Sequence, residues 1–365
     1  MAKKNCSCTE KDAGRLNKVG GQAVIEGVMM KAGERTVTTC RKEDKSLVVY
    51  DGSFVSVRKK HKFLNIPILR GVVNFVEMMI LSVKTLSNSA DALGIEEEET
   101  KFEIWLKKHL GIGITAVIMT ISVILGVALA LGLFMFLPNF ISSLIDNYIF
   151  DGRLDVWNAV IEGTVKIMIF LAYLWLVSLI PDIHRTFMYH GAEHKSIACF
   201  EAGGELTPEN AKNFKRFHPR CGTSFMFFMI LLGVIAGILV KKLLPEMHWL
   251  PYSAIRLLVL PVVMGLGYEF IMFAGKHDNF ITRAMSAPGL WVQRLTTKEP
   301  TEDMLEVAII SIKCALRDDF PEFMEFYEAR PWEIKPEGEN TEATADETST
   351  ESNEKADENE AVDGN

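Results

Sequence analysis

Four long apolar stretches restrict the possible folds of this chain more than any other feature. Each approaches or exceeds the roughly 20 apolar residues that an α-helix needs to cross the hydrocarbon core of a bilayer. The stretches are Gly111–Pro138, Val160–Pro181, Cys221–Val240 and Leu257–Gly275. They predict a mainly α-helical, polytopic protein of the cell membrane, with about four transmembrane helices in residues 111–275.

The basic residues between these stretches indicate how the spans are oriented. The connector at residues 182–220 contains six Lys or Arg residues, whereas residues 139–158 contain one. Because Lys and Arg accumulate in cytoplasmic loops, we expect the 182–220 connector and both termini to be cytoplasmic. The formal net charge of −8 is misleading here, since residues 336–365 alone contain eleven acidic residues and one lysine. That acidic tail is predicted to be disordered.

The segments outside the spans divide by composition. Residues 1–19 are predicted to be a polar arm, and residues 20–62 a small β-rich cytoplasmic unit. Its short strands are expected at Gly20–Met30, Arg35–Cys40 and Leu47–Val57. Residues 276–335 form a C-terminal cytoplasmic segment, with a soluble amphipathic helix predicted at Thr301–Arg317.

An amphipathic helix is predicted at residues 63–90. Arg70, Asn74, Glu77, Lys84 and Asn88 recur on one side at helical spacing, and apolar residues fill the other side. A helix that crossed the bilayer would bury Arg70 and Glu77, so we expect this one to lie in the membrane interface.

The connector contains a pattern of metal-binding residue types. His190 and His194 are four residues apart, so on a helix both imidazoles lie on one face and can reach the same ion. Glu193 completes an H-x-x-E-H pattern, which is that of inverted zincins, in which the carboxylate acts as a base. His218 and Cys221 add a second pair of candidate ligands, and thiolate with imidazole favours zinc.

Three further carboxylates are possible contributors to this site. Glu201 follows His194 by seven residues, Glu269 lies inside the fourth apolar stretch, and Glu26 lies within an apolar strand-like run. Carboxylates inside spans are often functional, although an interface or a nearby lysine also explains Glu269. Glu26 is more often expected on the exposed face of a strand.

Three hypotheses for function follow from these residues. The first is a membrane-bound, zinc-dependent, hydrolase-like enzyme in which His190, His194 and either His218 or Cys221 bind the metal and Glu193 is the catalytic base. The second is a non-catalytic scaffold or assembly factor whose four ligands close a structural zinc site. The third and least supported is a transporter that uses Glu269 and a Glu162–Lys166 pair. We expect membrane lipid and an unknown substrate or protein as partners, and no nucleic acid.

Several motifs together resemble a known family. GGQAVIEGVMM at 20–30, IPILRGV at 66–72, HGAEHK at 190–195, HPRCGTSF at 218–225 and GYE at 267–269 are similar to the YqhQ family of bacterial membrane proteins. The resemblance covers roughly residues 18–317 and leaves out the acidic tail. That family is a domain of unknown function that is often labelled a predicted metal-dependent enzyme. The resemblance therefore implies a bacterial membrane protein and a metal site, but it supplies no reaction.

Overall fold

The computed structural model describes residues 14–94, 114–154, 156–218, 221–244, 249–274, 280–328 and 333–336. Most of the predicted polar arm, the predicted acidic tail beyond residue 336 and the start of the first predicted span lie outside these residues. Four described helices are long and apolar enough to cross a membrane, which confirms the predicted fold class.

The described residues form five strands and twelve α-helices, numbered in chain order. The strands are β1 (Val19–Val24), β2 (Gly27–Ala32), β3 (Arg35–Arg41), β4 (Leu47–Ser53) and β5 (Glu333–Pro336). The helices are α1 (Val57–Lys60), α2 (Leu69–Ala92), α3 (Ile114–Leu131), α4 (Leu137–Ile149), α5 (Val156–Val177), α6 (Pro181–Glu201), α7 (Pro208–Ala211), α8 (Gly222–Leu243), α9 (Trp249–Ala274), α10 (Phe280–Thr296), α11 (Glu302–Ala315) and α12 (Pro321–Glu328).

Proline positions explain where two spans differ from prediction. The first span was expected to end at Pro138, but a π-helical turn at Gly132–Phe136 joins α3 to α4, and the candidate span runs over Ile121–Ile149. This π-helical turn, which is wider than an α-helical turn, comes shortly before Pro138, and proline has no backbone N–H to donate. The second span ends at Val177, and Pro181 instead opens α6, because proline suits the first turn of a helix.

The N-terminal strands form an antiparallel sheet in the order β1-β2-β3-β4, and β5 joins its edge parallel to β4. The prediction of a single strand at residues 20–30 was wrong in that detail. These residues fold into the β1–β2 hairpin, in which Val24 pairs with Gly27. Glu26 takes a positive φ of 49° in this turn. An apolar run with no Asn-Gly or Asp-Gly pair hides such a turn from sequence analysis.

Helices cover both faces of this sheet. On one face α6 and α11 pack against β1–β3 and share a single apolar core with the sheet. That core includes Val28, Met30, Val37, Tyr189, Phe200, Leu305 and Ile312. On the other face α2 covers a smaller cluster of Val24, Met29, Cys40, Val48, Tyr50, Leu81 and Ala92. Segments that four spans separate in the sequence therefore meet in one folded unit outside the spans.

The helix α2 links this unit to the spans. Its first turn packs on α9, where a Cβ added at Gly71 would lie 2.7 Å from the Cβ of Tyr268. Arg70 donates to Glu269 with an Nε–Oε1 distance of 2.6 Å. Further along α2, the Gln22 side chain of β1 donates to the Thr85 hydroxyl at 2.9 Å. One helix thus contacts both a span and the sheet.

Candidate metal centre

Two histidines of α6 lie one turn apart and project from the same face of the helix. The rings of His190 and His194 have centroids 4.4 Å apart in an edge-to-face arrangement. Between them is Gly191, where an added Cβ would overlap the carbonyl oxygen of Lys298. The Lys298 backbone N–H donates to the Phe187 carbonyl at 2.8 Å, so residues after α10 run closely along α6. Glycine at 191 permits that close approach.

A cysteine from a different element completes the cluster. Cys221 immediately precedes α8, and its Sγ lies 3.3 Å from His190 Nε2. The candidate ligand atoms of His190, His194 and Cys221 all lie within 4.8 Å of one another. Cys221 was expected within the third span, but the structure places it just before the helix begins.

Backbone carbonyls hold both imidazoles in the orientation that a metal ligand needs. His190 Nδ1 lies 2.8 Å from the Thr296 carbonyl oxygen, and His194 Nδ1 lies 2.5 Å from that of Arg216. Since a carbonyl only accepts, each Nδ1 carries the proton, and each Nε2 presents its lone pair to the cluster. Metal-binding histidines almost always have such an outer partner, which fixes the tautomer and the ring orientation.

Burial also favours the form of His194 that binds metals. The residue is only 2% exposed, and burial lowers the pKa of its imidazole below the ordinary value. A lowered pKa favours the neutral ring, whose nitrogen lone pair is available for coordination.

Glu193 is buried beside the cluster but is not a member of it. It is 5% exposed, and its Cγ lies 2.9 Å from the position that a Cβ on Gly21 of β1 would take. Burial raises the pKa of the Glu193 carboxyl to about 7, while charge on His190 acts in the opposite direction. The group therefore changes its protonation near neutral pH, as an acid–base catalyst requires.

His218, the fourth predicted ligand, lies at the edge of this group of three. Its Nε2 lies 3.4 Å from Glu201 Oε2, and its ring centroid is 5.7 Å from that of His194. The Gln293 side chain accepts from the His218 N–H at 2.9 Å and donates to its carbonyl at 2.7 Å. Glu201 therefore pairs with His218 at the edge of the cluster.

The other two carboxylates lie in structural contacts. Glu269 accepts from Arg70, so it joins α9 to α2 and is not part of the His/Cys cluster. Glu26 pairs with Arg185, and its carboxylate accepts from the Tyr189 hydroxyl at 3.3 Å. Because Tyr189 directly precedes His190, Glu26 fixes the hairpin against the helix that carries the histidines.

Sequence analysis missed the outer partners of the site. The carbonyls of Thr296 and Arg216 carry no side-chain signal, and Gly191 has no side chain at all. The buried Lys195 donates to Glu299 and to the Lys212 carbonyl, and Arg216 also pairs with Glu299. This ion-pair network holds the segment that supplies the Arg216 carbonyl to His194. A buried lysine in the HGAEHK motif was the available clue.

Comparison with known proteins assigns the family. The model of the family described as Protein of unknown function (DUF1385) matches residues 66–318. The chain belongs to this family. It is also 35% identical over 305 residues to the uncharacterized protein YqhQ of Bacillus subtilis (strain 168), covering 82% of this chain and 92% of that protein. This confirms the family that the motifs predicted. No solved structure matches.

Proposed function

We propose that the protein is an integral membrane, zinc-dependent enzyme of the hydrolase type, with its site at the cytoplasmic face of the membrane. The observation that carries the proposal is the convergence of His190, His194 and Cys221, with both Nδ1 protons donated to backbone carbonyls. Catalytic zinc sites commonly use three protein ligands and leave one position for water or substrate, whereas structural sites use four.

The donor set fits zinc. With Zn–N near 2.0 Å and Zn–S near 2.3 Å, neighbouring ligand atoms of a tetrahedral site are about 3.5 Å apart. The 3.3 Å between His190 Nε2 and Cys221 Sγ is close to this value, whereas the three ligand atoms as a group lie within a wider 4.8 Å of one another, so the site would contract slightly around the ion. Imidazole and thiolate are ligands that zinc prefers, and harder cations such as magnesium favour oxygen ligands instead.

The chain's own groups would then have separate tasks. Bound zinc supplies a Lewis acid that activates water and polarises a carbonyl or phosphoryl oxygen. The Thr296 and Arg216 carbonyls hold the two imidazoles in place. Glu193, whose carboxyl pKa is raised to about 7 by burial in the metal-free protein, would accept or return a proton.

The location at the cytoplasmic face rests on packing and charge. The sheet, α6 and α11 share a core, although two candidate spans precede α6 and two more precede α11. An even number of candidate spans between these elements supports a position of all three on one side of the membrane. The basic connector supports the cytoplasm as that side, with both termini inside, because Lys and Arg accumulate in cytoplasmic loops. Cys221 precedes the candidate span Met226–Leu243 by five residues, which supports a site close to the membrane boundary.

A structural zinc site is the second candidate. His190 and His194 belong to the sheet-centred unit, whereas Cys221 belongs to the start of α8. A metal bound by all three would therefore fasten that unit to the spans, and rotation of His218 away from Glu201 would supply a fourth ligand. A transporter is less favoured, because Glu162 pairs with Lys166 and Arg256, and Glu269 pairs with Arg70.

The test begins with the metal content of detergent-purified protein, measured by elemental mass spectrometry. We expect about one zinc per chain in the wild type. It should be lost with His194→Ala or Cys221→Ser and retained with Glu193→Gln. The variant His218→Ala separates the two candidates, because a three-ligand site keeps its zinc and a four-ligand site binds zinc more weakly.

Cobalt substitution tests for an exchangeable coordination position. In Co²⁺-loaded protein, acetohydroxamate should change the visible absorption spectrum if a position is open to exogenous ligands. An unchanged spectrum, together with zinc loss in His218→Ala, would favour the structural site. Wild-type protein that binds no metal under either condition would refute both candidates.

A further inference from the structure

The helix α2 is amphipathic in the opposite sense to a helix on the surface of a soluble protein. Its outward side carries large apolar residues that are each about half exposed, namely Val76, Met79, Ile80, Val83 and Leu86. The side that packs on the protein is mostly small or polar: Gly71, Glu77, Leu81, Thr85, Asn88, Ser89 and Ala92. A soluble helix would place the apolar stripe inward.

The buried polar side has specific partners within the protein. Glu77 accepts from the Val57 N–H at 2.7 Å and from the Ser56 hydroxyl. Gln22 accepts from the Ser82 hydroxyl at 2.6 Å. These contacts fix the rotation of α2 about its own axis. The apolar side is therefore held outward and is not available to the core of the unit.

The outward face continues the apolar surface of a span. The residues of α9 that α2 contacts, Gly265, Tyr268 and Glu269, all lie inside the candidate span Pro251–Phe273. Glu269 precedes the end of α9 at Ala274 by five residues, which is about 7.5 Å along a helix. The start of α2 is thus level with the membrane, close to one of its surfaces.

The chain before α2 has the composition of a membrane-inserting tip. Phe63 and Ile66 are 63% and 56% exposed, and Leu69 is also exposed. Lys60 and Lys62 are exposed immediately before them. Aromatic and aliphatic residues that follow a basic cluster are typical of segments that enter the headgroup and acyl boundary of anionic membranes.

We propose that residues 60–86 insert into the membrane leaflet on the side of the sheet-centred unit. Phe63, Ile66 and the outward face of α2 contact lipid acyl chains, and Lys60 and Lys62 contact anionic headgroups. The contact between the start of α2 and the span in α9 favours lipid over a protein partner. It puts the start of the outward apolar face of α2 at the depth of the membrane. This proposal does not depend on the metal centre.

The experiment measures the environment of single spin labels in proteoliposomes made from phosphatidylcholine and phosphatidylglycerol. Labels are attached to Val83→Cys on the outward face and to Lys84→Cys beside it, in a background with Cys6→Ser and Cys8→Ser. Ile124→Cys in the first span provides a lipid reference, and Glu43→Cys in the β3–β4 turn provides an aqueous one. Size-exclusion chromatography and circular dichroism confirm that each labelled variant is folded.

Accessibility to dissolved oxygen relative to an aqueous nickel complex gives the result. We expect the ratio at Val83 to approach that at Ile124 and to exceed the ratio at Glu43 several-fold, with Lys84 intermediate or aqueous. A ratio at Val83 equal to that at Glu43 overturns the proposal. Spin–spin broadening at Val83 that disappears on dilution with unlabelled protein also overturns it, because a second copy would then cover the face.

The anionic headgroups are tested with a label at Phe63→Cys. Combining it with Lys60→Gln and Lys62→Gln should reduce the depth of the label in vesicles that contain phosphatidylglycerol, and leave it unchanged in pure phosphatidylcholine. An equal depth with and without the two lysines in both lipids would exclude the headgroup contact.

Discussion

Two polar clusters lie beside or within the spans, and their chemistry differs. Glu162, Lys166 and Arg256 join α5 to α9, with an Arg256–Glu162 distance of 2.5 Å and a Lys166–Glu162 distance of 3.4 Å. In that cluster opposite charges pair directly with one another. In the other, the Nε2 atoms and the thiol sulfur of His190, His194 and Cys221 face one another, and the outer nitrogens are held by carbonyls.

The difference separates a cluster whose charges pair with one another from a cluster that we propose binds a metal. A buried ion pair satisfies its members within the protein and presents no donor to a ligand. Three electron-pair donors that converge are favourable only if a proton, a cation or a metal lies between them. Changing one cluster at a time should therefore leave the properties of the other cluster unchanged.

The largest effect is expected from loss of a ligand. His194→Ala or Cys221→Ser should weaken zinc binding by well over the 10–100-fold that follows loss of an outer partner. His184→Ala, which changes an exposed histidine of the same helix, should leave the zinc content unchanged. Elemental analysis of purified protein measures both. Equal zinc in His184→Ala and His194→Ala at stoichiometric levels would contradict the assignment.

Removing the carboxylate of Glu162, which Lys166 and Arg256 share, should lower the stability of the protein without changing its zinc content. Glu162→Gln leaves two cations near one another at buried positions, which is expected to cost about 3–5 kcal/mol. The thermal unfolding midpoint in detergent should fall accordingly, at full zinc content. Adding Lys166→Gln should recover part of the loss, since one of the two unpaired charges is then removed. Loss of zinc in Glu162→Gln would show that the clusters are coupled.

The raised pKa of Glu193 predicts a pH-dependent stability. The folded protein keeps this carboxyl protonated up to about pH 7, whereas the unfolded chain ionises near 4.5. The contribution is therefore fully present below pH 4.5 and is lost as the pH rises through 7, by about 3 kcal/mol. Metal-free Glu193→Gln should lack this loss, so its unfolding midpoint should exceed that of the wild type at pH 8 more than at pH 5. A constant difference across this range would exclude the shift.

A smaller effect on the metal is expected from the close approach at Gly191. In Gly191→Ala the added Cβ overlaps the Lys298 carbonyl, so the segment with Thr296 moves away from α6. Losing the carbonyl partner of His190 should weaken zinc binding by about 10–100-fold. Gly222→Ala is the control, because it adjoins Cys221 and no atom of the described residues lies within 4 Å of its Cβ position. Competition with a chromogenic zinc chelator measures the affinity.

The smallest effect is expected at His218. Because its ring pairs with Glu201, His218→Ala should leave the zinc affinity close to that of the wild type. The same competition assay applies, with Glu201→Gln as a second variant. A loss as large as that in His194→Ala would show that His218 is a fourth ligand in solution.

The sequence was a good guide to elements with a strong pattern. The apolar runs gave the spans, and the i,i+4 spacing of His190 and His194 gave the core of the site, because helical periodicity depends on local sequence alone. The pairing of Glu162 with Lys166 was also expected. Arg256 as its third member was not, since it comes from another span.

Contacts between residues that are far apart in the sequence could not be predicted from local patterns. Nothing in Thr301–Arg317 indicates that this helix packs on a sheet formed some 260 residues earlier, because apolar faces carry no record of their partners. The role of Glu26 likewise depends on Arg185 of a distant helix. The contact of His218 with Glu201 likewise involves residues from separate segments, and the Gln293 side chain holds the backbone of His218 from a third.

The shared core of the sheet, α6 and α11 has a consequence for biogenesis. The ribosome completes β1–β4 first, α6 only after two spans, and α11 only after four. Until residue 315 has been synthesised, the apolar face of the sheet lacks one of its two covering helices. The carbonyl of Thr296 that orients His190 is also made after the last span. If the cluster binds a metal as proposed, loading follows membrane insertion, and chains truncated before α11 would present a partly uncovered face of the sheet to cellular proteases.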